Sequence, residues 1–175
     1  MRSFNTALLA IALVLFAFTM TAQADDLQPP DLTLCPALQV PEGNALKFHA
    51  FATGFQNYHW TGSIWAFDGP SATLFADPGH HGQVGIHYAG PTWQSNSGSL
   101  VQGAVQVRCA ADPTAIPWLR LQATTKHGPG VFDNVSYIQR VNTIGGLAPT
   151  TPGTAIGDRA SVPYTAEYFF YSPTD

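Results

Sequence analysis

Leu100-Val101-Gln102-Gly103-Ala104-Val105-Gln106-Val107-Arg108-Cys109 is the stretch that decides the fold class. Val101, Val105, Val107 and Cys109 are set to point one way, and Gln102, Gln106 and Arg108 the other. A period of two over this length marks a strand with one buried face. The same signal recurs upstream. Leu46, Phe48 and Ala50 alternate with Lys47, His49 and Phe51, and Val84, Ile86 and Tyr88 alternate with Gln83, Gly85 and His87. Short apolar runs at Ile64–Phe67 and Ala72–Ala76 flank Asp68-Gly69-Pro70, which reads as a turn, as does Asp77-Pro78-Gly79. Downstream, Trp118–Thr125, Val135–Val141 and Tyr164–Tyr171 are further strands, rich in Val, Ile, Thr and aromatic residues. Sixteen Gly and fourteen Pro interrupt the chain so often that no helical period survives between them. The expected fold is all-β, a single antiparallel β-sandwich or small β-barrel. Ser95–Ser99 and Gly145–Gly157 are the expected mobile loops, the second long enough for a lid or a plain surface loop.

The N-terminus carries a different signal. A basic Met1-Arg2-Ser3 precedes the uncharged apolar run Ala7–Phe18, and Ala22-Gln23-Ala24 supplies an A-x-A cleavage site. This order defines a secretory signal peptide over residues 1–24, and the run is short for a membrane anchor. The expected organisation is therefore signal peptide 1–24, a Pro-rich arm over 25–44, and one all-β domain over 45–175. The expected location is secreted or periplasmic, with no stable membrane anchor after cleavage. In such a compartment Cys35 and Cys109, the two cysteines, are expected to bridge.

Composition narrows the function classes. Removing the signal peptide leaves six Lys and Arg against eleven Asp and Glu, with no basic run, which argues against nucleic acid as a partner. Charged residues are only 10% of the chain, against about 25% in typical domains. Such a surface suits a small neutral or carbohydrate-like ligand better than an ionic one.

Candidate chemistry centres on His87-Tyr88-Ala89-Gly90-Pro91-Thr92-Trp93. Gly90-Pro91 bends the chain just after a strand and is expected to bring Tyr88 and Trp93 together with His87 at the rim, a ligand platform. The competing arrangement packs the rings in the core while His87 caps a backbone carbonyl. Arg140 shares a strand face with Ile138. If Ile138 is buried, Arg140 is paired or lines a cavity; if Tyr137 and Val141 face the core, Arg140 is solvated, and this second arrangement is the preferred one. His80, His81 and His87 form a weaker candidate set for a divalent metal and metal-assisted hydrolysis. Gly79 and Gly82 weigh against the strand continuity that set needs. There is no G-x-S-x-G elbow, and carboxylate chemistry has thin support: the mature chain has two glutamates, Glu42 and Glu167, while Asp68, Asp77, Asp112 and Asp133 stand in turn contexts. The sequence thus favours a non-enzymatic binding module using His87, Tyr88, Trp93 and Arg140, without a cofactor. A metal-assisted hydrolase and a surface interaction protein of the envelope or stress type are the alternatives.

Four segments in order carry a resemblance. They are His87–Trp93, Ala115-Ile116-Pro117-Trp118-Leu119, Tyr137-Ile138-Gln139-Arg140 with Gly145-Gly146, and Val162-Pro163-Tyr164-Thr165-Ala166. Together they resemble a secreted family of bacteria and fungi, domain of unknown function 3455, from about Ala45 to Tyr171. The resemblance implies a secreted domain without an assigned activity. Fungal relatives carry the label malate dehydrogenase, but this sequence has no Gly-rich strand-to-helix turn for a dinucleotide. The resemblance also implies a cysteine near Trp60 and another after the Ala-Pro segment in many relatives. Here those places hold Trp60 and Thr150–Thr154, which leaves Cys35–Cys109 as the possible bridge.

Overall fold

The alternating segments pair into one antiparallel sheet that closes on itself. A computed structural model describes residues 27–174, and the signal peptide expected over 1–24 lies outside them. The strands are β1 (Asn44–Trp60), β2 (Trp65–Phe75), β3 (Gln83–Tyr88), β4 (Thr92–Ser95), β5 (Leu100–Cys109), β6 (Trp118–His127), β7 (Tyr137–Gly145) and β8 (Arg159–Pro173). Each pairs with the next, and β1 also pairs with β8, so the strands form a closed up-and-down barrel. Of the two architectures expected, the barrel is the one formed.

Bulges set which side chains face inward. In β1–β2, Asn57 pairs with Gly69 and Tyr58 with Phe67, leaving Asp68 as an extra residue. The expected turn at Asp68-Gly69-Pro70 is therefore a β-bulge inside one strand, with Gly69 at φ 138°. A second bulge falls between Val105 and Val107. The extra residue breaks the alternation expected for β5. Val101 and Val105 stay with the barrel interior, while Val107 and Cys109 turn to the outside.

That outward turn meets the N-terminal arm. Cys109 bonds Cys35 across a sequence separation of 74. The arm makes a single 3-10 turn, Pro36–Leu38, and lays Cys35, Leu38 and Val40 over Trp118, Val141, Phe169 and Tyr171. Its carbonyls are also held: Gln139 Nε2 donates to Leu38 O at 2.8 Å, and Arg120 Nη1 donates to Gln39 O. The outer face of β7 is thus a second core. Ile138, Gln139, Arg140 and Val141 are consecutive and all buried, because one face looks into the barrel and the other lies under the arm.

The barrel interior is filled unevenly. At one end Phe48, Phe132 and Phe170 pack together, with Phe132–Phe170 centroids 4.7 Å apart. Trp93 stands edge-on to Phe170 at 6.0 Å and closes this aromatic plug. Beyond Trp93 the interior is open. The Gly145–Gly157 segment does not float free. Trp65 Nε1 donates to Thr151 O, and Asp158 accepts the N–H groups of Thr154 and Ala155. Gly153 lies so close to Trp60 that a side-chain carbon there would sit 2.5 Å from the ring. Trp60 and the Thr150–Thr154 stretch, where the resemblance puts cysteines in relatives, are in contact here. Ser95–Ser99 is likewise closed by Ser95 N–H to Ser99 O and by bonds among the Ser95, Ser97 and Ser99 hydroxyls.

Candidate functional site

The open part of the interior is a cavity of about 580 Å³. Its floor is Trp93, His87 and Tyr168, and its walls include Leu119, Leu121, Val105 and Ile116. Gln56, Tyr58 and Arg140 supply polar groups, and Phe67, Asp68 and Arg108 stand at the exposed side.

His87 and Trp93 arrive together because β3 and β4 form a hairpin in which these two residues pair directly. Their rings stack at 4.4 Å and 10°. His87 Nδ1 lies 2.8 Å from the Thr92 carbonyl, so Nδ1 carries the proton and donates. Nε2 then has only its lone pair to offer, and no partner among the described residues takes it. Burial holds the His87 pKa far below its ordinary value, at about 3, while the hydrogen bond to Thr92 opposes the fall and the nearby Arg140 charge adds to it. His87 is a neutral acceptor at physiological pH.

Arg140 comes from β7, on the inner face with Ile138. Its Nε and Nη2 both donate to the Pro117 carbonyl, at 3.2 and 2.8 Å. The preferred expectation of a solvated Arg140 is overturned: the residue is 9% exposed and lines the cavity. The segment before β6 delivers Pro117. Ile116 is fixed by its N–H to Gly145 O and by the Thr143 hydroxyl on its carbonyl at 2.6 Å. Gly146, at φ 78°, brings the chain back against Gln56, Tyr164 and Ile116, where a side-chain carbon would lie 2.9 to 3.1 Å from all three. Its carbonyl accepts the Tyr58 hydroxyl at 2.6 Å.

Several buried polar atoms here make no hydrogen bond of good geometry among the described residues, although Gln56 and Tyr168 lie beside the Tyr164 hydroxyl and Arg140 lies beside that of Tyr168. The atoms are Gln56 Nε2, Trp93 Nε1 and the hydroxyls of Tyr164 and Tyr168. Buried polar groups are normally paired, so four orphans at one end of a barrel are unusual. Burial also raises the pKa of Tyr58, Tyr164 and Tyr168, keeping the phenols protonated.

Three of the four residues expected to form the platform converge: His87, Trp93 and Arg140. Tyr88 does not. It follows His87 on the same strand, so it points outward, where its hydroxyl donates to Gln94 Oε1 at 3.2 Å. The competing arrangement is realised in part, since Trp93 is buried and His87 does cap a carbonyl. The metal candidates are dispersed. His87 faces the interior, His80 lies tilted against Phe75, and His81 pairs with Asp77 at 3.2 Å in the exposed β2–β3 turn. Among the described residues no three His, Cys, Asp or Glu side chains are grouped to hold a metal ion. Gln56, Tyr58 and Tyr168 were not among the candidates. A bulge at Lys47 turns Leu46 out under the arm, against the expected shared face with Phe48 and Ala50, but carrying the Phe48–Ala50 alternation on along β1 leads to Gln56 and Tyr58, and the Tyr164–Phe170 alternation leads to Tyr168.

A family model described as "Protein of unknown function (DUF3455)" matches residues 41–172. The chain belongs to this family. The match takes in all eight strands except the last residue of β8, so the barrel and its cavity are the DUF3455 domain. No curated protein and no solved structure matches the chain. The Cys35–Cys109 bridge ties this domain to an arm that begins before the matched region, and the bridge is consistent with an oxidising environment.

Proposed function

We propose that this DUF3455 protein is an exported binding module that holds a small organic molecule inside its barrel. The observation that carries the reading is the cavity itself, with Gln56 Nε2, Trp93 Nε1 and Tyr168 Oη buried on its walls and unpaired. A pocket with mostly apolar walls and a few convergent polar groups is the usual form of a small-molecule site. A ligand supplying partners would remove the desolvation cost that those groups carry in its absence. Export is supported by the signal-peptide pattern of residues 1–24 and by the disulfide.

The walls refine the ligand expected from composition alone. Leu119, Leu121, Val105, Ile116 and the Trp93 face offer apolar contact, whereas a sugar needs a polar partner for most of its hydroxyls. A largely apolar body with a few polar atoms is the better match. A thermal-shift screen of small organic compounds, followed by calorimetry, tests this. A ligand at a hundred times its Kd adds about 2.7 kcal/mol of stability. Binding should be lost in Val105→Trp, which puts an indole into the cavity. Hits that bind Val105→Trp as tightly as the native protein would sink the reading.

A further inference from the structure

We infer that the ligand of the barrel is an organic acid whose carboxylate sits on Arg140; this rests on the cavity being a ligand site. Arg140 is 9% exposed and lines the cavity. None of the four ion pairs among the described residues includes it. A guanidinium cannot shed its charge, so burial without a counter-ion leaves a standing electrostatic cost. The one carboxylate at the cavity is Asp68, and it is already engaged by His59 at 2.5 Å and Arg159 at 3.1 Å. Arg108, exposed at the same side, adds a second positive charge.

The hydrogen bonds of Arg140 also leave the right edge free. Pro117 O takes the Nε–Nη2 edge. The end-on Nη1–Nη2 edge makes no hydrogen bond of good geometry, with the Tyr168 hydroxyl its near neighbour, and its two parallel N–H groups match the two oxygens of a carboxylate. Two of the other unpaired groups agree in sign, and the Tyr168 hydroxyl can donate or accept. Gln56 Nε2 and Trp93 Nε1 are donors, so the site as a whole asks for a ligand rich in acceptors. His87 Nε2 is the exception, a lone-pair acceptor beside this donor set, and it suits a hydroxyl on the same molecule. The Leu119, Leu121 and Val105 walls select an organic body over inorganic phosphate or sulfate.

The test uses matched probes on the intact mature protein: benzoate, 2-naphthoate and octanoate against benzyl alcohol, 2-naphthalenemethanol and 1-octanol. Isothermal titration should show at least one acid binding ten times more tightly than its alcohol. Arg140→Gln should erase that preference by weakening the acid far more than the alcohol. Val105→Trp should weaken both. Should Arg140→Gln fail to fold, the native protein still decides through its acid-to-alcohol ratio. Alcohols that bind as well as the acids would overturn the carboxylate assignment while leaving the cavity reading standing. Binding of neither class would overturn both.

Discussion

Replacing Tyr168 by Phe should make the protein more stable, against the usual direction for a core substitution. The Tyr168 ring is 1% exposed and stands edge-on to Trp93 at 5.4 Å and to His87 at 5.0 Å. Phe keeps the ring and these contacts, so little packing is lost. What goes is a hydroxyl that makes no hydrogen bond of good geometry, although Arg140 and Tyr164 lie beside it. An unpaired buried polar group costs about 1–3 kcal/mol. The cavity beside it admits water, which puts the gain at the lower end, about 1 kcal/mol. For a domain of this size that raises Tm by about 2–4 °C. Urea denaturation followed by tryptophan fluorescence, with calorimetry for Tm, measures both. The same substitution should weaken any ligand that restores the partner of the hydroxyl, the trade expected where a site holds polar groups for binding rather than for folding. A Tyr168→Phe variant destabilised by more than about 1 kcal/mol would show that the hydroxyl is paired in the folded protein. The argument that the cavity is under-satisfied would then fail at its central residue.

Two further outcomes follow from the same structure. His87 has a folded pKa of about 3 against an ordinary 6.5, so its contribution is complete above pH 6.5 and is lost as the pH falls toward 3. The unfolded chain takes up a proton there that the native state refuses, so stability should drop by about 2 kcal/mol from this residue between pH 6.5 and 4.5. Denaturation midpoints at the two pH values should show a shallower decline in His87→Gln, and an unchanged decline would contradict the buried neutral imidazole. The Cys35–Cys109 bridge closes a separation of 74 residues, worth about 4 kcal/mol in the chain-entropy account. The Cys35→Ser/Cys109→Ser double variant should lose up to that amount by urea denaturation, and a loss below about 1 kcal/mol would mean that the arm adds little to the fold.

The strands were legible in the sequence because one face of most of them meets solvent, so polar and apolar residues alternate. Leu100–Cys109 has the bounds of β5, and the hairpin around Gly90-Pro91 brings His87 to Trp93. Alternation failed where a third layer was present. The arm buries the outer face of β7, so Val141 and Ile138 are both apolar while facing opposite ways, and the pattern could not say where Arg140 points. Bulges were the other blind spot. Neither Asp68 nor Gln106 announces itself as an extra residue, because a bulge is defined by the register of the partner strand. Tyr88 was misplaced for a simpler reason. The bend brings the hairpin arms together, but the side chain next to an inward His87 must point outward.

The pairing of β1 with β8 has a consequence for how the chain reaches its final form. It runs from Asn44 opposite Pro173 to His59 opposite Arg159, joining the first strand to the last. Every other ladder links neighbours in sequence and can zip locally, but this one must wait until nearly the whole domain has left the ribosome or crossed a membrane. Until then both strands are bare edges, open to pairing with another chain. The vulnerable moment of this protein is therefore the interval before its last strand docks, and conditions that lengthen that interval should show up as aggregation during refolding rather than as instability of the finished barrel.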